Sequence, residues 1–207
     1  MTELKKTRSE LKRDAILQAA TEAFKSEGVQ ATSMDKLAQL AQVSKRTVYN
    51  HFKTKEILVM ELISQLWKAA LVDIVFEYRS DCPLHEQLST LLTKELSLLS
   101  SPEYIDLSRV AFGHFFYDSE TLQQEVAKFS AQETAIHRWL KEAVDDGRLK
   151  EMDIDFANSQ LHSLIKGSGF WPQLMQMKPM LNSEDMTFIA EQSAGMFLSH
   201  YEVSVCV

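Results

Sequence analysis

The chain has only two cysteines in 207 residues, Cys82 and Cys206, with no CxxC pair and no Cys/His cluster around either. That argues against a structural zinc site or a disulfide framework and leaves reduced thiols as the simple reading. Long hydrophobic runs are also missing. No apolar stretch reaches the roughly 18 residues a membrane span needs, and the opening MTELKKTRSELKRD has no apolar core of a signal peptide. A cytoplasmic protein without a membrane partner is therefore expected. Sustained period-2 alternation bounded by turn residues is absent too, which argues against a sheet. No paired carboxylates, nucleophile motif, Gly-rich phosphate loop or metal-ligand spacing can be picked out, so the expectation is a non-enzyme with no cofactor and no metal.

What is present is an uneven charge. The total is −7, yet residues 1–56 carry 11 Lys+Arg against 7 Asp+Glu. The remainder carries 11 against 22. A small cationic end suited to a polyanion is joined to a larger acidic body with another task. With 45% hydrophobic residues, that body can bury a core.

Helical spacing dominates the chain. Leu11, Ala15, Ile16, Ala19, Ala23 and Phe24 share one face of a helix over residues 10–27, with Ser9 as cap and Gly28 as stop. Thr32 or Ser33 caps a short second helix, with Asp35 in capping-box spacing from Thr32 and Leu37, Ala38 and Ala41 turned inward. Ser44 caps a third, with Val48 and Phe52 as its apolar stripe. Thr54 caps a fourth, expected to run to Tyr78. Ser101 followed by Pro102 and Glu103 opens a helix through Tyr117. Further helices are expected from Ser119 to the Gly147 stop, from Asp153 or Asp155, and from Asn182 or Ser183. The whole reads as an all-α protein of about nine helices.

Two short helices joined by a tight turn, the second polar outside, meet the requirements of a helix-turn-helix. Ala38 is small enough for a close crossing, Val48 plugs the junction ten residues later, and Leu37, Ala41 and Val43 complete the inner face. Lys45, Arg46, Thr47, Tyr49 and Asn50 are left for the outside or the flank, and these are donors for base edges and phosphates.

The segment DKLAQLAQVSKRTVYNHFKTKEIL resembles the helix-turn-helix core of the TetR/AcrR family of bacterial transcriptional regulators. The order is a capped helix, an A-x-V-S turn, a T-x-Y-x-x-F recognition helix and a K-E helix start, and the match spans roughly residues 10–60. One departure is Gln42, where the family usually has glycine; a left-handed non-glycine residue there costs on the order of 1 kcal/mol.

The resemblance implies an N-terminal three-helix DNA-binding domain, residues 1–53, and a helical ligand-binding and dimerisation domain, residues 54–207. It places Lys45, Arg46 and Asn50 at bases and Ser33, Ser44, Thr47, Tyr49, His51 and Lys55 at phosphates. His51 could equally satisfy a local hydrogen bond. Lys5, Lys6, Arg8, Lys12 and Arg13 form either a supplementary arm or a solubilising tail.

The C-terminal half is similar to the AefR-like members through its GFWPQLM segment. Its large apolar residues offer a pocket set of Trp67, Phe112, His114, Phe115, Phe116, Tyr117, Trp139 and Trp171, although aromatic residues at helical spacing serve a core as readily. The resemblance further implies a homodimer, its helices of about 154–177 and 183–203 pairing with their copies, on a pseudo-palindromic double-stranded operator. The implied function is a repressor released by a small apolar or amphipathic effector. A protein partner controlling the C-terminal domain is the alternative, and Cys82 or Cys206 as a redox switch is a further one.

Overall fold

The structure is a computed structural model and describes residues 6–72, 75–115, 123–124, 127 and 132–203, with the backbone alone at positions 114 and 115. It is all-helical, and its only β-type pairing among the described residues is an isolated bridge between Leu149 and Glu202. The ten helices with described bounds are α1 Arg8–Glu27, α2 Met34–Leu40, α3 Lys45–His51, α4 Lys55–Trp67, α5 Leu84–Leu99, α6 Pro102–Phe115, α7 Ala135–Asp145, α8 Ile154–Gly169, α9 Trp171–Leu174 and α10 Ser183–Tyr201; a π-helical turn, Lys68–Val72, follows α4. The chain divides into two compact units, Met1–Gln65 with Asp106–Glu125, and Leu66–Ile105 with Val126–Val207.

In the first unit α1 begins two residues earlier than its hydrophobic pattern suggests. Thr7, not Ser9, is the cap: its hydroxyl accepts from the Glu10 backbone N–H at 3.2 Å, and the Thr7 backbone N–H donates to the Glu10 carboxylate at 2.7 Å. This reciprocal pair satisfies two donors that the helix cannot satisfy internally. Ile16, Leu17, Ala19, Ala20, Ala23 and Phe24 are buried, whereas Leu11, expected on the inner face, is exposed. The cap of α2 is Ser33, which accepts from Lys36 N–H at 3.2 Å; Thr32 instead donates its hydroxyl to the Gly28 carbonyl at 3.0 Å. Thr54 caps α4 by accepting from Ile57 N–H at 3.2 Å.

In the second unit α5 is the central helix, packed against α10, α8 and α7. Leu84, Leu88, Leu91, Leu92, Leu96 and Leu99 are buried along it, the i, i+4, i+7, i+8, i+12 and i+15 rhythm of one apolar face. Burying such side chains contributes about 1.5–3 kcal/mol each relative to leaving them exposed. Gly169, at the end of α8, lies against Leu96: a Cβ at this position would sit 2.2 Å from Leu96 Cδ2. The turn before α5 is pinned by buried Gln87, which accepts from Arg79 N–H at 2.9 Å and donates to the Arg79 and Cys82 carbonyls at 2.9 and 3.0 Å.

Three expected helices are shorter than their patterns. α4 ends at Trp67 and passes into the π-helical turn, and residues 75–79 are not helical, so the helix does not reach Tyr78. The expected 119–147 helix is interrupted, because residues 132–134 are non-helical and Thr134 caps α7 by accepting from His137 N–H at 3.2 Å. The expected 154–177 helix stops at Gly169: in a continued helix Pro172 would have no N–H to give to the Ser168 carbonyl and its ring would clash with it, and the chain bends at Phe170 before α9. Ser119, Phe116 and Tyr117 lie outside the described residues, as does Cys206.

Candidate nucleic-acid interface and cavity

Helices α2 and α3 form the compact pair that the spacing of Ala38 and Val48 predicts. Leu37, Ala38, Val48 and Phe52 are buried between α1, α2 and α3. Two backbone bonds close the turn, Ala41 N–H to Leu37 O at 2.9 Å and Val43 N–H to Ala38 O at 3.0 Å. Between them Gln42 has φ of 53°, the left-handed conformation that glycine adopts without strain. Ser44 starts α3 by accepting from Thr47 N–H at 3.1 Å, and its hydroxyl lies 2.8 Å from that of Thr47.

Burial of Val48 sets the orientation of α3. With that residue inward, Lys45, Arg46, Tyr49 and Asn50 are exposed, and Thr47 and His51 are half-buried at the flank. Arg46 and Asn50 stand one helical turn apart on the same face, and α3 contains no acid. Lys45 forms an ion pair with Asp35 of α2, so its ammonium is held across the pair of helices. Ser33 uses its hydroxyl oxygen as a cap, which leaves its O–H to donate elsewhere, while the Ser44 hydroxyl caps α3 and shares a hydrogen bond with the Thr47 hydroxyl. The Lys55 ammonium turns toward the α1–α2 connection, donating to the Val29 carbonyl at 3.0 Å and the Thr32 carbonyl at 3.4 Å. One of its three N–H donors remains. Lys53 is exposed at the end of α3.

The second unit contains a cavity of about 930 Å³. Of the expected pocket residues it brings together Trp67 and Trp171. Trp139 is core instead, 2% exposed, with its indole N–H donating to Gln87 at 3.3 Å. Phe112 belongs to the other unit, and the side chains of His114 and Phe115 lie outside the described residues. The rest of the lining is polar and was not picked out from sequence: Gln132, Glu133, Thr134, His137, Lys141, Asp155, Asn158, Ser159, His162, Ser163 and Lys166. Six of these sit on α8 at i, i+3, i+4, i+7, i+8 and i+11 from Asp155, the spacing of one helix face, which without a structure looks like a face turned to solvent.

Within the cavity wall the acids are already engaged. Glu133 accepts from Lys141 at 2.6 Å and pairs with His137 Nδ1 at 3.2 Å, while His137 Nε2 meets Asp155 at 3.0 Å. The Lys141 N–H bonds hold the Glu133 carboxyl below its usual range. Behind the wall, Glu95 is 0% exposed and accepts from His162 Nδ1 at 2.5 Å. Its other oxygen, Oε2, has no hydrogen-bond partner among the described residues, and neither does Asn158 Oδ1. Burial, and then the nearby Glu95 charge, raise the pKa of the Tyr104 phenol. Among the described residues no group of three or more His, Cys, Asp or Glu side chains is placed to hold a metal ion, and no helix is long and apolar enough to cross a membrane.

Comparison with known proteins agrees with this architecture along most of the chain. Residues 16–62 match the family model described as bacterial regulatory proteins, tetR family, and residues 86–203 match the AefR-like transcriptional repressor C-terminal domain. A TetR family transcriptional regulator from Pseudomonas syringae pv. tomato is similar in structure, with 37% identity, a TM-score of 0.70, and coverage of 94% of this chain and 98% of that one. The uncharacterized HTH-type transcriptional regulator YhgD of Bacillus subtilis is 29% identical over 140 residues, 64% of this chain. That alignment spans 66% of YhgD, just under two thirds of its length. The HTH-type transcriptional regulator AcrR of Shigella flexneri is 27% identical over 133 residues, covering 62% of this chain and 60% of AcrR. The family is one of DNA-binding, dimeric regulators and not of enzymes. The chain belongs to the TetR family of bacterial transcriptional regulators and carries the AefR-like C-terminal domain.

Proposed function

We propose that this regulator is a cytoplasmic homodimeric repressor, which binds a pseudo-palindromic double-stranded operator through residues 1–53 and is released from it by a small molecule held in residues 54–207. The observation that carries the DNA assignment is the acid-free α3, which presents Arg46 and Asn50 on one exposed face while Val48 anchors the other in the core. Arg46 suits the guanine O6 and N7 acceptors, and Asn50 suits adenine N6 and N7. Lys45 joins them by exchanging Asp35 for a base. Ser33, Ser44, Thr47, Tyr49, His51 and the remaining Lys55 N–H address phosphates, positioning the chain without reading sequence.

Dimerisation is supported by apolar side chains on two helices. Phe156 on α8 and Phe188 and Met196 on α10 are each at least 60% exposed, a large apolar area to leave in water. Two recognition helices related by a two-fold axis double the base contacts of one. Ligand control is supported by the cavity, whose volume lies near the top of the range usual for small-molecule sites.

The test uses a duplex enriched by the full chain from random DNA, with fluorescence anisotropy at several salt concentrations. Arg46→Ala is expected to cost about 1–3 kcal/mol on that duplex and almost nothing on unrelated DNA. Equal losses on both duplexes would remove the base-reading assignment. Compounds that bind the chain are then added to the complex. Release from the duplex supports ligand control, whereas binding without release argues for control by a protein partner.

A further inference from the structure

We infer that the cavity takes an amphipathic organic anion, its carboxylate bound by His162 and Lys166 and its apolar body set against Trp67 and Trp171. The inference rests on the ligand-controlled reading above and gives that ligand a chemical class. It refines the expected apolar or amphipathic effector by requiring a negative charge.

The electrostatics of the wall decide the sign of that charge. A cationic ligand would need a free acid, and both acids of the lining are committed, Glu133 to Lys141 and His137, Asp155 to His137. Lys166 makes no ion pair among the described residues. His162 lies one turn before it on the same face of α8. Its Nδ1–H is committed to the buried Glu95 carboxylate, which leaves Nε2 as the ring nitrogen available to a ligand.

A carboxylate set between His162 and Lys166 pairs with the Lys166 ammonium and, to be held at Nε2, requires that nitrogen to donate as well. The His162 ring then stands between the ligand charge and the wholly buried Glu95 carboxylate, where water cannot screen the two from each other. An amine would meet the Lys166 ammonium, a neutral ligand would gain nothing from it, and a carboxylate pairs with it. The ligand body is set by Trp67 and Trp171, which offer apolar ring surface to the same cavity.

The test compares two matched sets of probes that differ only in charge: indole-3-acetate, indole-3-acetamide and tryptamine, then octanoate, octanamide and octylamine. Binding to the full-length protein is read by calorimetry and by thermal shift. The acids are expected to bind about tenfold or more tighter than their amides, and the amines not at all. Lys166→Gln, at a partly exposed position that does not threaten folding, is expected to erase the preference for acid over amide without weakening the amide. His162→Gln is expected to reduce it as well, while Lys178→Gln, outside the cavity, leaves it intact.

Three results would overturn the inference: an amide or amine binding as tightly as its acid, no binding by either acid at about 1 mM, or a preference that survives in both cavity variants. Release of operator DNA is scored in parallel. Acids that bind without releasing DNA defeat ligand control and leave the anion site standing. Release by the neutral or cationic probes alone defeats the anion site and leaves ligand control standing.

Discussion

Replacing Gln42 by glycine is expected to stabilise the protein, and the size of the effect follows from one backbone angle. Gln42 is held at φ 53° between the Leu37–Ala41 and Ala38–Val43 hydrogen bonds, so it cannot relax without opening the turn. A residue with a Cβ costs about 1–2 kcal/mol in this region, which glycine does not incur. Glycine also gains freedom in the unfolded chain, offsetting about 0.5–1 kcal/mol. The exposed Gln42 side chain makes no hydrogen bond among the described residues that the change would lose. The net is a gain of about 0.5–1 kcal/mol, which should appear as a higher urea midpoint with unchanged slope. Gln42→Ala keeps the Cβ and should show no such gain. Gln176, at φ 58° after α9, provides a second position where glycine should act in the same direction. Destabilisation by glycine, or an equal gain from alanine, would refute the reasoning.

Other perturbations have equally definite outcomes. Lys55→Met removes the donor to the Val29 and Thr32 carbonyls and is expected to lower stability by about 1–2 kcal/mol, besides weakening binding to all DNA alike; calorimetry with salt-dependent anisotropy checks both. Gly169→Ala drives a methyl into Leu96, which is itself fully buried and has no solvent to move into, so a loss of about 1–3 kcal/mol is expected in thermal unfolding. Because the folded Glu133 carboxyl titrates below its ordinary value of 4.5, its interaction with Lys141 stabilises the fold above that pH and is lost as pH falls through the folded value. The difference in melting temperature between wild type and Glu133→Gln should therefore shrink on acidification from pH 7 to about 3, and also in high salt because the pair is at the surface.

The N-terminal half was the more legible because its determinants are local. Ser33, Ser44 and Thr54 each cap the helix that follows them in sequence, and the small Ala38 and branched Val48 meet ten residues apart, so spacing alone carries the geometry. Where a pattern misled, a competing local interaction explains it. Thr7 outdoes Ser9 because Glu10 sits at the reciprocal position, and the apolar run after Trp67 looks helical although its β-branched Val72, Ile74 and Val75 favour extended backbone. Helix α5 is announced by Pro83 and by a leucine every three or four residues.

The cavity was the least legible feature. Its wall is assembled from α7, α8 and residues as distant as Trp67, and a polar stripe such as Asn158, His162 and Lys166 has the same spacing whether it faces open water or lines a cleft. The Glu95–His162 pair joins positions 67 apart in the chain, which no periodicity can reveal.

The most direct test of the central claim, a two-fold symmetric reader of DNA, is selection by the full-length protein from a pool of random duplexes. The account predicts enrichment of a pseudo-palindrome with half-sites about one helical turn or a multiple apart, bound by an even number of protomers. Enrichment of a single asymmetric site bound by one protomer, or of no sequence at all, would contradict it.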